Sequence, residues 1–190
     1  MWGTLTLLWS LRKYSVLLAT ALALAGSCWA QNLNSGASTI SLRAVLGESL
    51  SVNLSANSVG FALTPGSNNN PGNTSITATT TWLLRPGVRN VRVYAFFSNS
   101  ASALSNGAGV NIPSADFQIS DNAGPLTALT TTVPFGGANA GLLLSTTRIR
   151  RRNRIGSHKD RMNFNINLAP LPNLPAASYI GTLNIQAQAI

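Results

Sequence analysis

The residues best equipped for chemistry are seven bases within fourteen positions: Arg148, Arg150, Arg151, Arg152, Arg154, Lys159 and Arg161, with Asp160 the one acid among them. Arginine presents a planar fork of donors that fits phosphate or sulfate oxygens. In an extended chain Arg148, Arg150, Arg152 and Arg154 share one face, about 6.6 Å apart. That spacing is close to the repeat of charged groups along an extended polyanion. The segment is therefore a candidate contact for acidic polysaccharide, lipopolysaccharide phosphate or an anionic lipid surface. Gly156-Ser157 separates the run from the strand pattern that follows, which points to a hairpin. The competing reading is a solvated basic loop, the usual fate of a charge run. Nucleic-acid regulation is not expected, because no aromatic residues interleave with the bases to stack on nucleobases.

The rest of the inventory is sparse. Past residue 30 the acidic side chains are Glu48, Asp116, Asp121 and Asp160, the one histidine is His158, and cysteine is absent. His158 and Asp160 share a face if the chain is extended there. A catalytic triad also needs a nucleophile in reach of the imidazole, and no Gly-x-Ser-x-Gly elbow exists. His158 is thus expected to be a surface residue. Asp116 and Asp121, with Asn111 or Asn122, could offer oxygens to calcium, but nothing resembles an EF-hand loop and turn chemistry is the simpler reading. Glu48 follows Gly47 in a turn, which leaves no facing carboxylate pair for glycoside hydrolysis. Trp82, with Tyr94, Phe96 and Phe97, could form a sugar platform or anchor the core. The expectation is a non-enzymatic protein with no catalytic residues, no metal and no cofactor.

At 190 residues, with 45% hydrophobic and 9% charged residues, the chain can bury a core in one domain. Its beginning reads as a secretory signal. Arg12 and Lys13 precede an apolar run over residues 15–25, and Cys28-Trp29-Ala30 offers small residues for cleavage before Gln31. A run of that length is too short to span about 30 Å of hydrocarbon as a helix. A rival reading takes Ala25-Gly26-Ser27-Cys28 as a lipoprotein box with Cys28 lipidated. The expected division is a signal peptide at 1–30 and one domain at 31–190, located in the periplasm, outside the cell or on its surface. Without disulfides, that domain must rely on its core or on a partner chain.

Period-two alternation dominates the rest, among Ser, Thr and Asn broken by Gly and Pro. Over 161–168, Met162, Phe164, Ile166 and Leu168 face one side and Asn163, Asn165 and Asn167 the other. Over 179–189, Tyr179, Leu183, Ile185, Ala187 and Ala189 oppose Thr182, Asn184, Gln186 and Gln188. Ile40, Leu42, Ala44 and Leu46 alternate with Ser41 and Arg43, then Leu50, Val52 and Leu54 with Ser51 and Asn53. Segment 76–84 carries Ile76, Ala78 and Trp82 on one face, and 91–97 is apolar on both, as a central strand would be. Segments 115–120, 126–135 and 141–147 complete the set. The fold class expected is an all-β, Ig-like, two-sheet antiparallel sandwich of about seven to nine strands.

The closing stretch, with Tyr179, Gly181, Thr182, Leu183 and Ile185 after a Pro-rich turn, resembles small exported bacterial β-sandwich proteins of the spore coat U and fimbrial-subunit kind. The resemblance implies a structural, adhesive or assembly role in the cell envelope, with copies of itself or other envelope subunits as partners. Fimbrial subunits end with an aromatic next to last and often carry a disulfide; here the end is Ala189-Ile190 and no disulfide is possible after residue 30. An assembly subunit leaves a strand edge or apolar groove for a neighbour's strand. The alternating segment 40–54 could donate such a strand or form an ordinary first hairpin. The alternative function is a monomeric module that binds anionic glycan or lipid through residues 148–161.

Overall fold

In a computed structural model, residues 40–190 are described. Both the signal-peptide reading and the lipidation reading at Cys28 fall outside the described residues. Val45–Ile190 forms one compact unit. It contains eleven strands: β1 (Ser49–Leu54), β2 (Asn70–Pro71), β3 (Ile76–Leu83), β4 (Asn90–Phe96), β5 (Leu104–Ser105), β6 (Asn111–Ile112), β7 (Phe117–Asp121), β8 (Thr127–Ala128), β9 (Gly141–Arg148), β10 (Ile155–Ile166) and β11 (Asn184–Ala189). A single 3-10 turn, Ser114–Asp116, leads into β7.

The protein is all-β, with two antiparallel sheets in a sandwich-like arrangement. One sheet has the order β1-β3-β10-β7-β8, with β2 added on β10; the other is β11-β4-β9. β5 and β6 form a separate small hairpin. Four of the eleven strands are only two residues long; β2 and β8 of these join the first sheet, whose longer strands are β1, β3, β7 and β10.

Alternation explains the core. Along β10 the inward residues Met162, Phe164 and Ile166 are buried, and Leu168 continues the series just beyond the strand. Ile76, Ala78, Thr80 and Trp82 form the buried face of β3 beside them. From the second sheet, Ala95 and Phe97 meet Phe117, Ile119 and the β10 residues in the main core. A smaller cluster of Trp82, Leu84, Val91 and Ile149 closes one end of the sandwich.

Trp82 is therefore a core anchor and not a sugar platform. Its indole N–H donates to the Asn153 carbonyl at 2.9 Å, and its ring packs over Gly156, where a Cβ would lie 3.1 Å from Cζ2.

Three sequence expectations change. Segment 40–48 forms no strand: Ile40, Leu42, Val45 and Leu46 are 83%, 91%, 76% and 78% exposed. Among the described residues no strand pairs with it, so pattern alone does not make it a strand. Segment 126–135 yields only the two residues of β8. The remainder crosses the outer face of the second sheet, where the Phe135 ring lies 5.9 Å from Tyr94 and 5.8 Å from Phe96. This cover explains why β4 is apolar on both faces.

The third change concerns Asn165, which points outward from β10 yet is buried. It accepts from the Asn70 amide at 2.8 Å and donates to the Asn68 carbonyl and to Gln118 Oε1. Asn70 is also buried; it donates to the Ser67 and Ile166 carbonyls and accepts from the Thr64 amide at 2.7 Å. The pair fastens the loop over residues 64–71 to β10. Buried polar groups stripped of a partner cost about 1–3 kcal/mol each. Asn70→Ala is expected to destabilise the fold by about 2–4 kcal/mol in denaturant melts and to speed amide exchange at Thr64. Unchanged melting would show that the loop is held by other contacts.

Candidate functional site

Three places concentrate unusual chemistry: an apolar groove, a basic end, and a polar cluster between the sheets. The groove is the largest. β1 pairs only with β3 and β11 only with β4, so both are edge strands. They lie on the same side of the sandwich, where Leu50 of β1 and Ala187 and Ala189 of β11 pack on one cluster. Between residues 54–63 on one rim and 176–185 on the other, a cavity of about 760 Å³ opens into the core. Its floor includes Ile76, Phe97, Phe117, Met162, Phe164 and Ile166.

Both rims are fixed. Ser105 and Ile180 exchange two backbone hydrogen bonds of 2.9 Å, and the Tyr179 hydroxyl donates to the Pro175 carbonyl at 3.0 Å. At Gly181 a Cβ would overlap the Ala103 carbonyl oxygen, so only glycine permits this approach. On the opposite rim, Phe61 bridges to Gly72 and stacks edge-on to Phe117 at 5.8 Å, and the Gly60 amide donates to Asn73 Oδ1 at 3.0 Å. Sequence reading missed this rim, although Val59, Phe61 and Leu63 alternate at period two.

The basic run has a different geometry from the one its sequence implied. β9 and β10 belong to different sheets, so the connection is a crossover and not a hairpin. It turns at residues 150–153: the Asn153 amide donates to the Arg150 carbonyl at 3.1 Å, Asn153 Oδ1 accepts from the Arg150 amide, and Asn153 Nδ2 donates to the Arg148 carbonyl. The extended lattice of Arg148, Arg150, Arg152 and Arg154 is thereby broken. Gly156 and Ser157 are part of β10 rather than a turn.

The fold also redistributes the charges. Leu84 donates to the Arg154 carbonyl at 2.8 Å and Ile149 to the Arg89 carbonyl at 2.7 Å. These bonds join the β3–β4 crossover to the β9–β10 crossover. Arg85 and Arg89 thus come to the same end as Arg148, Arg150, Arg151, Arg152 and Arg154. Lys159 and Arg161 leave it, because they continue along the outer face of β10, where Arg161 Nε donates to Ser75 Oγ at 3.3 Å. Arg85 pairs with Glu48 at 3.5 Å; among the described residues the other arginines of this end form no ion pair.

Asp160 points inward, and His158 shares that face of β10 with its side chain still 40% exposed. Asp160 is fully buried, and His158 Nε2 lies 3.1 Å from its Oδ1, near enough for an ion pair when protonated but not aligned as a hydrogen bond. Ser145 of β9 donates to Asp160 Oδ2 at 3.0 Å across the sheets. The carboxylate therefore stands between hydroxyl and imidazole, whereas a nucleophilic triad places the imidazole in the middle. Asp121 ends β7 beside this cluster, and its carboxyl is pushed up to about 6 by burial first and by the Asp160 charge second, against opposing effects of His158 and Asn122. Burial also raises the Asp116 carboxyl, at the other end of β7. Among the described residues no three His, Cys, Asp or Glu side chains come together as metal ligands.

Compared with known proteins, the chain matches no family model, no curated protein and no solved structure.

Asp121 makes a pH prediction. Its carboxyl moves from 3.8 to about 6 on folding, so the folded state holds the proton more tightly. The stabilisation from this group is complete below the lower value and is lost as pH rises through the upper one. Asp121→Asn, permanently neutral, should melt above wild type at about pH 7.5 and level with it at about pH 4. An equal difference at both pH values would assign the effect to packing.

Proposed function

We propose that this chain is an exported, non-enzymatic structural or adhesive subunit of the bacterial cell envelope, an Ig-like sandwich that assembles by accepting an extended strand. One observation carries the reading: a groove with core residues as its floor lies open between residues 54–63 and 176–185, reached by the last residue of edge strand β1 (Leu54) and the start of edge strand β11 (Ile185). Monomeric proteins rarely leave such a surface uncovered. A strand laid there would pair its backbone with an edge and seat alternate side chains among Phe97, Phe117 and Phe164.

The donor is the segment around Ile40, Leu42, Ala44 and Leu46 of another copy. It has the period that the groove requires, and Ile40, Leu42 and Leu46 are largely exposed. Seven extended residues reach about 23 Å. The secretion signal read in residues 1–30 is consistent with assembly outside the cytoplasm. The lack of disulfides is consistent with a domain completed by a neighbour.

A synthetic peptide of residues 38–48, at about 100 times its Kd, should raise the Tm of the purified protein by about 5–10 °C. The peptide with serine at positions 40, 42 and 46 should have no effect. The protein should form polymers whose size falls to that of a monomer in the Ile40→Ser, Leu42→Ser, Leu46→Ser variant. Intact mass should place the first residue at Gln31. A chain that stays monomeric and ignores the peptide is not a strand-accepting subunit.

A further inference from the structure

The arginine end of the sandwich is not used by strand acceptance. Its seven arginines lie on two crossovers, residues 84–89 and 149–154, with the last residue of β9. Hydrogen bonds from Leu84 to Arg154 and from Ile149 to Arg89 tie the crossovers together. Trp82 holds the second crossover from beneath through the Asn153 carbonyl. The charges are thus set on an ordered base and not on a free loop. All but Arg154 are exposed, and Glu48 is the one acidic side chain among them, already engaged by Arg85. The Ile190 carbonyl accepts from the Arg89 and Asn90 amides, which brings the last strand to this end.

Such a cluster attracts phosphate, and its shape selects among phosphate carriers. A threaded polyanion is best matched by a linear row of cations, and the turn at residues 150–153 removes that row. What remains is a blunt end with arginines spread across it. Apolar surface accompanies them. Ile155, next to Arg154, is 72% exposed. A hollow of about 230 Å³ is lined by Leu50, Leu84, Val88 and Ala189 together with Ser49 and the paired Glu48 and Arg85. A partner that offers both a plane of phosphates and hydrocarbon just beneath them is an anionic phospholipid bilayer.

We infer that this end, comprising Arg85, Arg89, Arg148, Arg150, Arg151, Arg152 and Arg154, docks the protein on a bilayer surface of anionic phospholipid. Arg89 belongs to the site through folding alone, whereas Lys159 and Arg161 do not belong to it. β10 carries them about 13 and 20 Å away from Ile155.

The test is co-sedimentation of the purified protein with vesicles of phosphatidylcholine alone or mixed with phosphatidylglycerol, at low and high salt. Binding should require phosphatidylglycerol and weaken steeply between about 0.05 and about 0.3 M NaCl. The Arg150→Ser, Arg151→Ser, Arg152→Ser variant should bind about 100-fold more weakly. Arg89→Ser should lose about fivefold, and Lys159→Ser with Arg161→Ser less than about threefold. Circular dichroism melts of each variant confirm folding.

Equal loss in the arginine triple and in the Lys159/Arg161 pair, scaled by charge, would reduce the site to net charge and overturn it. Retention on heparin or polyphosphate without vesicle binding would assign the end to a soluble polyanion and overturn the lipid assignment. No binding to any of these would overturn it outright. The peptide experiment on the groove is independent of every one of these outcomes.

Discussion

The twelve residues of β10 pair with β3 and then β2 along one edge and with β7 along the other. Everything distinctive about the molecule is arranged along the inward face of that strand. Gly156 seats Trp82, His158 and Asp160 form the polar cluster, Met162 and Phe164 join core to groove, and Ile166 ends the groove floor. Successive strand residues face opposite ways, so a slip of one position would turn all of these outward and bury Lys159 and Arg161. The bonds from Asn165 and Asn70 resist such a slip, because they fit only one register. Asp160 adds a second lock through Ser145 in the opposite sheet. Buried polar contacts contribute modest net stability but penalise every alternative pairing strongly.

With register fixed, the sandwich is closed unequally on its two sides. Beyond β10, the first sheet tapers to the five residues of β7 and the two of β8, and Thr131 bridges to Gly141 at the start of β9. Short, bridged edges of this sort invite little pairing. On the other side β1 and β11 diverge around the groove, and phenylalanine rings of the core line its floor. Burying a large aliphatic or aromatic side chain contributes about 1.5–3 kcal/mol. Three such residues from a donor strand would thus add an amount comparable to the whole stability of a small domain. In the proposed assembly, the exposed apolar segment of one copy and the open cleft of another would be two halves of one core.

Much of this could be read from residue order, because a half-buried strand writes its two faces into the sequence. Met162, Phe164 and Ile166 against Asn163, and Ile76, Ala78 and Trp82 along β3, are direct cases. What alternation cannot say is whether a partner exists. Ile40, Leu42 and Leu46 alternate as well as any strand, yet they stay exposed, and among the described residues no strand edge meets them. Nor can alternation say which face looks inward when the inward face is polar. His158 reads as a surface residue for that reason; it stays 40% exposed, while its place between Gly156 and Met162 on β10 puts it on the same face as the buried Asp160. The arginines were visible as composition but not as a site. Arg85 and Arg89 join them through crossovers some sixty residues apart, and a linear pattern carries no trace of that.

Charge and groove also constrain each other. β4 and β10 run from the arginine end toward the groove and β3 runs back from the groove to that end, so the two features sit at opposite ends of the same strands. Two arginine ends cannot approach within about 8–10 Å at physiological salt without repulsion, since Glu48 is already paired. In the proposed assembly this repulsion would direct contact between copies away from that end and toward the groove, where charge is scarce and apolar surface is open. Such repulsion costs little stability in the single domain and would disfavour end-to-end association in the wrong orientation. The same repulsion keeps the arginines free of neighbouring copies and open to an anionic surface. A subunit chain built through the grooves would then present one cationic end per copy, and weak individual contacts with phosphate would add along the assembly.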